Sequence, residues 1–181
     1  LPLLHRDIYT CRGEGEEVYT PRFTYHGFRY VRVDGITEEQ ATPDLLTYLV
    51  YHTDLGDRGN FFCSDETANK IQEITRRSIL SNFHHFPTDC PQRDERLGWR
   101  GDCQVFSGTA CYNMDTAAFY QKFLHDLRTE QVQFDGILPG RLPVQGFPIF
   151  SSVWGDLATI LPTALVRHYG DRKILEQNYL M

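Results

Sequence analysis

The sequence predicts a mainly α-helical protein that begins with a β-rich segment. Two observations carry this prediction. Aromatic and β-branched residues dominate residues 23–33, which is typical of a strand. After Ser64 the apolar residues instead recur every three or four positions, which is typical of amphipathic helices. We therefore expect two regions, a β region over residues 1–60 and a helical region over residues 61–181.

The β region contains two predicted strands. The first covers residues 23–33 and is followed by Asp34 and Gly35, a dipeptide that favours a turn. The second covers residues 46–52, where apolar residues alternate along one face. We expect these to be the last strands of a sheet whose other strands are missing from the sequence.

Capping signals place helices throughout the second region. Ser64 is the predicted N-cap of the first helix and Asp115 that of a later one, while Gly170 is expected to end the helix that Pro162 bends. The predicted helices cover residues 65–83, 102–111, 115–129, 157–168 and 171–179. One apolar stripe consists of Ala117, Tyr120, Phe123, Leu124 and Leu127. With no strand signal between them, these helices predict an all-α array.

Composition and charge exclude several classes of protein. Of 181 residues, 41% are apolar and 13% aromatic, which excludes disordered and low-complexity chains. The 18 basic and 24 acidic residues give a net charge of −6, so nucleic acid is not an expected partner. No run approaches the ~18 apolar residues of a membrane helix, so no membrane partner is expected. The 5 cysteines include no CxxC pair and are predicted to be free thiols.

The residues best suited to chemistry concentrate in residues 86–102. This segment holds four acids, three arginines and Trp99. Glycoside cleavage needs a protonated carboxylic acid, ionised carboxylates for sugar hydroxyls and an aromatic surface for the ring, and all three kinds of group are present. The alternative is a solvated, salt-bridged helix connection, which has little use for a tryptophan. Acids and arginines act oppositely on a carboxyl pKa, so the sign of any shift at Asp94 or Glu95 stays open.

This segment also carries a resemblance to a known protein family. The string PTDCPQRDERLGWRGD, residues 87–102, closely resembles the signature of the bacterial α-L-rhamnosidases, inverting glycoside hydrolases of family 78. The resemblance covers essentially the whole chain. It extends to short strings that contain Asp65, Asp115, Asp135, Asp156 and Asp171.

The resemblance also implies a fold. Catalytic domains of that family are (α/α)6 barrels preceded by a β-sandwich. Residues 1–60 would then be the end of the β-sandwich and its linker, and residues 61–181 the N-terminal part of the barrel. The start at Leu1 and the end at Met181, inside a predicted helix, fit a fragment. We expect such a fragment to be inactive alone and to leave parts of the apolar stripe without partners.

The resemblance assigns roles to particular residues. Glu95 would be the general acid that protonates the glycosidic oxygen. The implied substrate-binding residues are Asp89, Arg93, Trp99, Asp102 and Trp154. The two aspartates would hold ring hydroxyls, the tryptophans would form walls of the pocket, and the arginine would lie beside the sugar or orient a carboxylate.

Several of these residues have alternative structural roles. Asp102 is also a plausible N-cap for the next helix, Trp154 a plausible core residue, and Cys90 a plausible buried spacer. Two positions depart from the family pattern: Arg100 stands where the family more often has Thr, and Thr163 stands where it commonly has Trp.

The predicted function is hydrolysis of terminal, non-reducing α-L-rhamnosyl groups with inversion. The substrate would be a rhamnose-containing glycoside or oligosaccharide. The second catalytic group, the general base, would lie beyond Met181. Two alternatives remain, a non-catalytic carbohydrate-binding or scaffolding protein that kept the pocket and a barrel hydrolase acting on another sugar. No cofactor or metal is expected, because His84 and His85 lack the spacing of a zinc motif. Bacterial cytoplasm and periplasm are both open.

Overall fold

The computed structural model describes residues 5–93 and 95–181. Within these residues the chain forms six α-helices, which confirms the prediction of a mainly helical protein. They are α1 (Glu66–Asn82), α2 (Arg100–Asn113), α3 (Ala117–Gln131), α4 (Ser152–Gly155), α5 (Leu157–Tyr169) and α6 (Lys173–Asn178). Short 3-10 helices cover Glu38–Gln40 and Val132–Phe134.

One small antiparallel ladder joins two loops of the helical region. Its strands are β1 (Gly98–Trp99) and β2 (Arg141–Leu142), with Gly98 opposite Leu142 and Trp99 opposite Arg141. β1 runs directly into α2, and β2 lies in the loop between α3 and α4. The ladder therefore ties two loops at one end of the helices.

The N-terminus of α1 is capped one residue later than the sequence predicted. Asp65, not Ser64, is the N-cap, and its carboxylate accepts hydrogen bonds from the backbone N–H groups of Thr67 (2.8 Å) and Ala68 (3.1 Å). A carboxylate at this position also interacts favourably with the positive end of the helix dipole.

Two other helix ends were predicted from single residues. Gly170 ends α5 with a left-handed backbone (φ 75°), as predicted. The N-cap of α3 is Thr116 rather than Asp115, although the Asp115 carboxylate accepts from the N–H of Ala117 at 3.4 Å. The short helix α4 was not predicted, because four residues are too few to show a helical period.

The two strands predicted at residues 23–33 and 46–52 do not form, so that prediction was wrong. The backbone there is irregular, and no described segment pairs with it. Phe23 adopts a left-handed conformation (φ 60°), and Tyr30 is 87% exposed. A strand is stabilised by hydrogen bonds to a neighbouring strand. Since no neighbour lies within the described residues, β propensity alone produces no sheet.

The core lies between α2, α3 and α5, and the most extensive helix contact joins α2 to α5. Leucines at every fourth position of α5 point into it. The core side chains with no exposed surface include Ile79, Cys111, Tyr120, Phe123, Leu124, Leu127, Leu157, Leu161 and Leu165. Most of the predicted apolar stripe of α3 is therefore buried. The expectation that it lacks partners was wrong for Tyr120, Phe123 and Leu124, because the other helices cover them.

The cysteines are unpaired, as predicted, and two of the five are buried in the core. None of the helices formed by the described residues is both long and apolar enough to cross a membrane.

Burial predicts the outcome of a matched pair of phenylalanine substitutions. Phe123 has no exposed surface, whereas Phe147 is 90% exposed in the loop after β2. Phe123→Ala should lower the free energy of unfolding by about 3–5 kcal/mol, because it removes buried contacts and leaves a cavity. Phe147→Ala should change it by less than about 0.5 kcal/mol. Urea denaturation of both variants tests this, and equal losses would contradict the assigned core.

Candidate active site

The acid-rich segment forms a closed loop after α1. Thr88 anchors its start, because its backbone N–H and hydroxyl both donate to the carbonyl oxygen of Asn82, at 2.9 and 2.7 Å. The N–H of Asp89 then donates to the carbonyl oxygen of Leu97 at 3.1 Å. Residues 89 and 97 therefore come together, and the residues between them project as one loop that leads into β1.

Among the described carboxylates of this loop, Glu95 accepts the most hydrogen bonds. One oxygen, Oε2, accepts from Nε and Nη2 of Arg93 at 3.0 and 2.7 Å. The other, Oε1, accepts from the indole N–H of Trp99 at 2.8 Å. Because both oxygens have donors in different directions, the plane of the carboxylate is fixed.

Asp89 lies beside Glu95 and shares its electrostatics. Burial raises the pKa of Asp89, and the neighbouring Glu95 adds to the rise. The pKa of Glu95 is lowered, first by the hydrogen bonds from Arg93 and then by those from Asp89 and Trp99. The direction of the pKa shift at Glu95, which the sequence left open, is therefore downward. The pKa values of these two neighbouring carboxyls are thus shifted in opposite directions.

Cys90 completes a compact group with these two carboxyls. The sulfur of Cys90 and one oxygen each of Asp89 and Glu95 lie within 4.8 Å of one another. They are the described residues that could together hold a metal ion. Burial and the adjacent Asp89 raise the pKa of the Cys90 thiol, and a protonated thiol is a poor ligand. The thiol is therefore the weakest of the three candidate ligands.

Trp99 is held at one edge and over one face of its ring system. Its indole N–H bonds to Glu95, and the guanidinium carbon of Arg141 lies 5.4 Å from its ring centroid. Arg141 reaches this position because β2 pairs with β1 and places it opposite Trp99. The cation–π contact and the ladder together hold the indole beside the acid.

Trp154 reaches the same end of the helices from α4. Its indole packs on two glycines, Gly101 in the first turn of α2 and Gly140 just before β2. A Cβ added to Gly101 would lie 2.8 Å from its ring, so glycine is needed for this close approach. The indole N–H is buried and has no acceptor among the described residues.

The structure places Asp102 differently from the other predicted ligands. It lies exposed in the first turn of α2, whose N-cap is Trp99, so the alternative role of Asp102 as an N-cap is wrong. In the part of the chain that the structure describes, no side chain hydrogen bonds to its carboxylate. Asp94, the neighbour of the predicted acid, lies outside the described residues.

Residues far from the signature also touch this loop. Arg96, directly after Glu95, has a left-handed backbone (φ 53°), which strains a side chain of this size. Its guanidinium carbon lies 5.2 Å from the ring centroid of Tyr25. Gly27 packs so closely on Gln92 that an added Cβ would lie 2.7 Å from its Cα atom. The N-terminal segment therefore covers one side of the loop.

Two family descriptions match this chain. Residues 56–181 match the bacterial alpha-L-rhamnosidase 6 hairpin glycosidase domain. The chain belongs to the bacterial α-L-rhamnosidases. Residues 4–52 match the concanavalin-like domain of the same proteins. The family resemblance stated from the signature is thus confirmed.

Individual rhamnosidases resemble the chain over most of its length. An alpha-L-rhamnosidase of Alteromonas sp. (strain LOR) is 41% identical over 96% of the chain, which spans 19% of that relative. The native α-L-rhamnosidase of Aspergillus terreus is 42% identical in sequence. Its crystal structure matches this chain with a TM-score of 0.83, over 92% of this chain and 20% of that one. The Streptomyces avermitilis enzyme, complexed with L-rhamnose, is 38% identical with a TM-score of 0.67 over 70% of this chain and 12% of that one. The chain thus spans about a fifth of the curated relatives it matches.

Sequence reasoning missed three groups that shape the site. It did not connect Arg141 with Trp99, Glu130 with Arg100, or the pKa of Asp89 with Glu95. A turn signal, Leu138-Pro139-Gly140, precedes β2 and could have indicated a loop with a defined conformation. Nothing in the local sequence marks Glu130.

Two glycine substitutions on α2 test the packing of Trp154. Alanine at Gly101 would collide with the indole, so Gly101→Ala should destabilise the chain by about 1–3 kcal/mol. Gly108 has no atom within 4 Å of an added Cβ, so Gly108→Ala should stabilise the helix by about 0.5–1 kcal/mol. Urea denaturation of both variants gives the two signs. Stabilisation by both would contradict the contact between Gly101 and Trp154.

Proposed function

We propose that this chain supplies the acid-bearing side of an α-L-rhamnosidase site that removes terminal α-L-rhamnosyl groups with inversion. Glu95 is the general acid in this proposal. The observation that carries it is the carboxylate of Glu95, which is bonded on one side by Arg93 and on the other by Trp99, with Asp89 beside it. The complex of the Streptomyces avermitilis relative with L-rhamnose supports the choice of sugar.

The proposal includes the architecture around the site. The helices α1–α6 are the first part of an (α/α)6 barrel, and residues 1–60 are the end of the preceding β-sandwich and its linker. The match of residues 56–181 to a six-hairpin glycosidase domain supports the first statement. The match of residues 4–52 to a concanavalin-like domain supports the second.

The general base lies elsewhere in the complete protein. An inverting glycosidase keeps its two carboxyl groups about 6.5–9.5 Å apart, because a water molecule must fit between base and sugar. Oxygens of Asp89 and Glu95 lie within 4.8 Å of each other. This separation is shorter than the inverting arrangement needs, so Asp89 is not the base that pairs with Glu95.

Glu95 must carry a proton to act as a general acid. In the free site, the hydrogen bonds from Arg93 disfavour its protonated form. Arg93 is the largest cause of the lowered pKa of Glu95. The Arg93 side chain is 61% exposed, so it can leave Glu95 and contact another acceptor. A sugar hydroxyl that accepts from Arg93 weakens this contact and raises the pKa of Glu95. Glu95, whose side chain is 25% exposed, then takes up a proton from solvent. Glu95 delivers it to the glycosidic oxygen.

Other residues contribute binding in this proposal. The exposed carboxylate of Asp102 is free to accept from ring hydroxyls, and Trp99 and Trp154 provide apolar surface for the sugar. Arg93 contacts the sugar once it leaves Glu95. No cofactor takes part.

The leaving group tests the role of Glu95. A general acid contributes about 10²–10⁴-fold when the leaving alcohol needs a proton, and much less for a nitrophenolate, whose conjugate acid has a pKa of roughly 7. In the complete enzyme, Glu95→Gln should therefore nearly abolish cleavage of a natural rhamnoside but lose much less on a nitrophenyl rhamnoside. Steady-state kinetics on both substrates measures the difference.

Asp102→Asn is the matched control, because it removes a contact to the rhamnosyl group that both substrates share. It should lose similar factors on both. If the leaving-group dependence appeared in Asp89→Asn or Asp94→Asn and not in Glu95→Gln, the acid would be that residue. If rhamnose bound to the complete protein but no rhamnoside was cleaved, the protein would be a carbohydrate-binding protein instead.

A further inference from the structure

A buried ion pair joins the start of α2 to the end of α3. Arg100 follows Trp99 at the start of α2 and has no exposed surface, and its Nη2 donates to Oε2 of Glu130 at 3.1 Å. Glu130 stands near the end of α3, and its side chain is only 12% exposed. Burial lowers the pKa of Arg100 to about 10, so the guanidinium is still charged at neutral pH.

This pair is poorly suited to stabilise the fold by itself. Nε and Nη1 of Arg100 are buried and have no acceptor among the described residues. A buried charge whose donors are only partly satisfied recovers little of its desolvation cost, and apolar side chains often replace such pairs without loss of stability. A role in positioning other residues therefore explains the pair better than a contribution to stability does.

The contacts of the pair lead to the candidate acid. The second oxygen of Glu130, Oε1, accepts from the N–H of Val144 at 3.1 Å, just after β2. The backbone N–H of Arg100 donates to the carbonyl oxygen of Gly140 at 3.0 Å, just before β2. The two residues thus hold both ends of the β2 loop, which carries Arg141.

We infer that the Arg100–Glu130 pair positions Trp99, and through its indole the carboxylate of Glu95. The pair fixes β2, β2 presents Arg141 to the ring of Trp99 at 5.4 Å, and Trp99 donates to Glu95 at 2.8 Å. Arg100 and Glu130 are positioning residues, since neither touches the site directly. The catalytic part of this inference rests on the proposed function, whereas the geometric part does not.

The indole N–H resonance of Trp99 reports the geometry without any activity. The chain has only 2 tryptophans, so two indole signals are expected in a ¹⁵N-labelled sample, and Trp99→Phe assigns them. Arg100→Met should shift the Trp99 signal upfield because the hydrogen bond to Glu95 weakens. Arg100→Lys, which keeps the charge, should restore most of the shift. Arg77→Met, at a surface arginine of α1, is the control and should leave the signal unchanged.

Kinetics in the complete enzyme tests the consequence. A misplaced acid lowers the rate of the chemical step, so Arg100→Met should lower kcat on a natural rhamnoside about 10²-fold with a much smaller change in KM. Arg100→Lys should recover most of kcat. A folded Arg100→Met variant with an unchanged Trp99 signal and unchanged kcat would overturn the inference.

A second variant covers the case in which Arg100→Met does not fold. The double variant Arg100→Met/Glu130→Gln leaves no buried charge and keeps an acceptor for Val144. It should fold and still show the shifted Trp99 signal. If neither variant folded, the pair would be a determinant of folding and the inference would fail. If the signal moved in Arg100→Met but the wild-type complete enzyme cleaved no rhamnoside, the proposed function would fail and the positioning of Trp99 would stand.

Discussion

The carboxylate of Glu95 is the point on which the rest of the site depends. It is held by three hydrogen bonds, two from Arg93 and one from Trp99, and each donor has a different structural origin. Arg93 belongs to the same closed loop, whereas Trp99 belongs to β1 and is ordered by β2. The position of the acid therefore depends on two features, the loop closure between Asp89 and Leu97 and the ladder between two distant loops. Burial raises the pKa of Asp89 beside it, opposite in direction to the shift at Glu95.

The helical core serves this arrangement by fixing the start and end of each loop. α1 ends where Thr88 anchors the acidic loop, and α2 begins directly after Trp99. α3 ends near Glu130, which reaches back to Arg100. Because these helix ends are set by a buried apolar core, the polar groups of the site need little ordering of their own when a ligand binds.

The sequence predicts the parts of this structure that depend on local pattern. Apolar periodicity predicts five of the six helices in the described residues, and Gly170 marks the end of α5, but the predicted N-caps of α1 and α3 are each off by one residue. The signature identifies the family and the loop. The predicted strands failed because a strand depends on a partner, which the described residues do not contain. Asp102 and Asp89 have the same side chain, yet Asp102 is exposed, whereas an oxygen of Asp89 lies within 4.8 Å of one of Glu95. That difference arises from the folded path of the loop, and a pair such as Arg100 and Glu130, 30 residues apart, has no local signature at all.

Arg93 is the largest cause of the lowered pKa of Glu95, whereas burial raises the pKa of Asp89 beside it. Carboxyl ¹³C NMR titration of the chain tests this most directly, with Glu95→Gln and Asp89→Asn used for assignment. We expect a pKa for Glu95 below that of an ordinary glutamate, a pKa for Asp89 above that of an ordinary aspartate, and a higher pKa for Glu95 in Arg93→Gln. A pKa for Glu95 above that of Asp89, unchanged by Arg93→Gln, would contradict it.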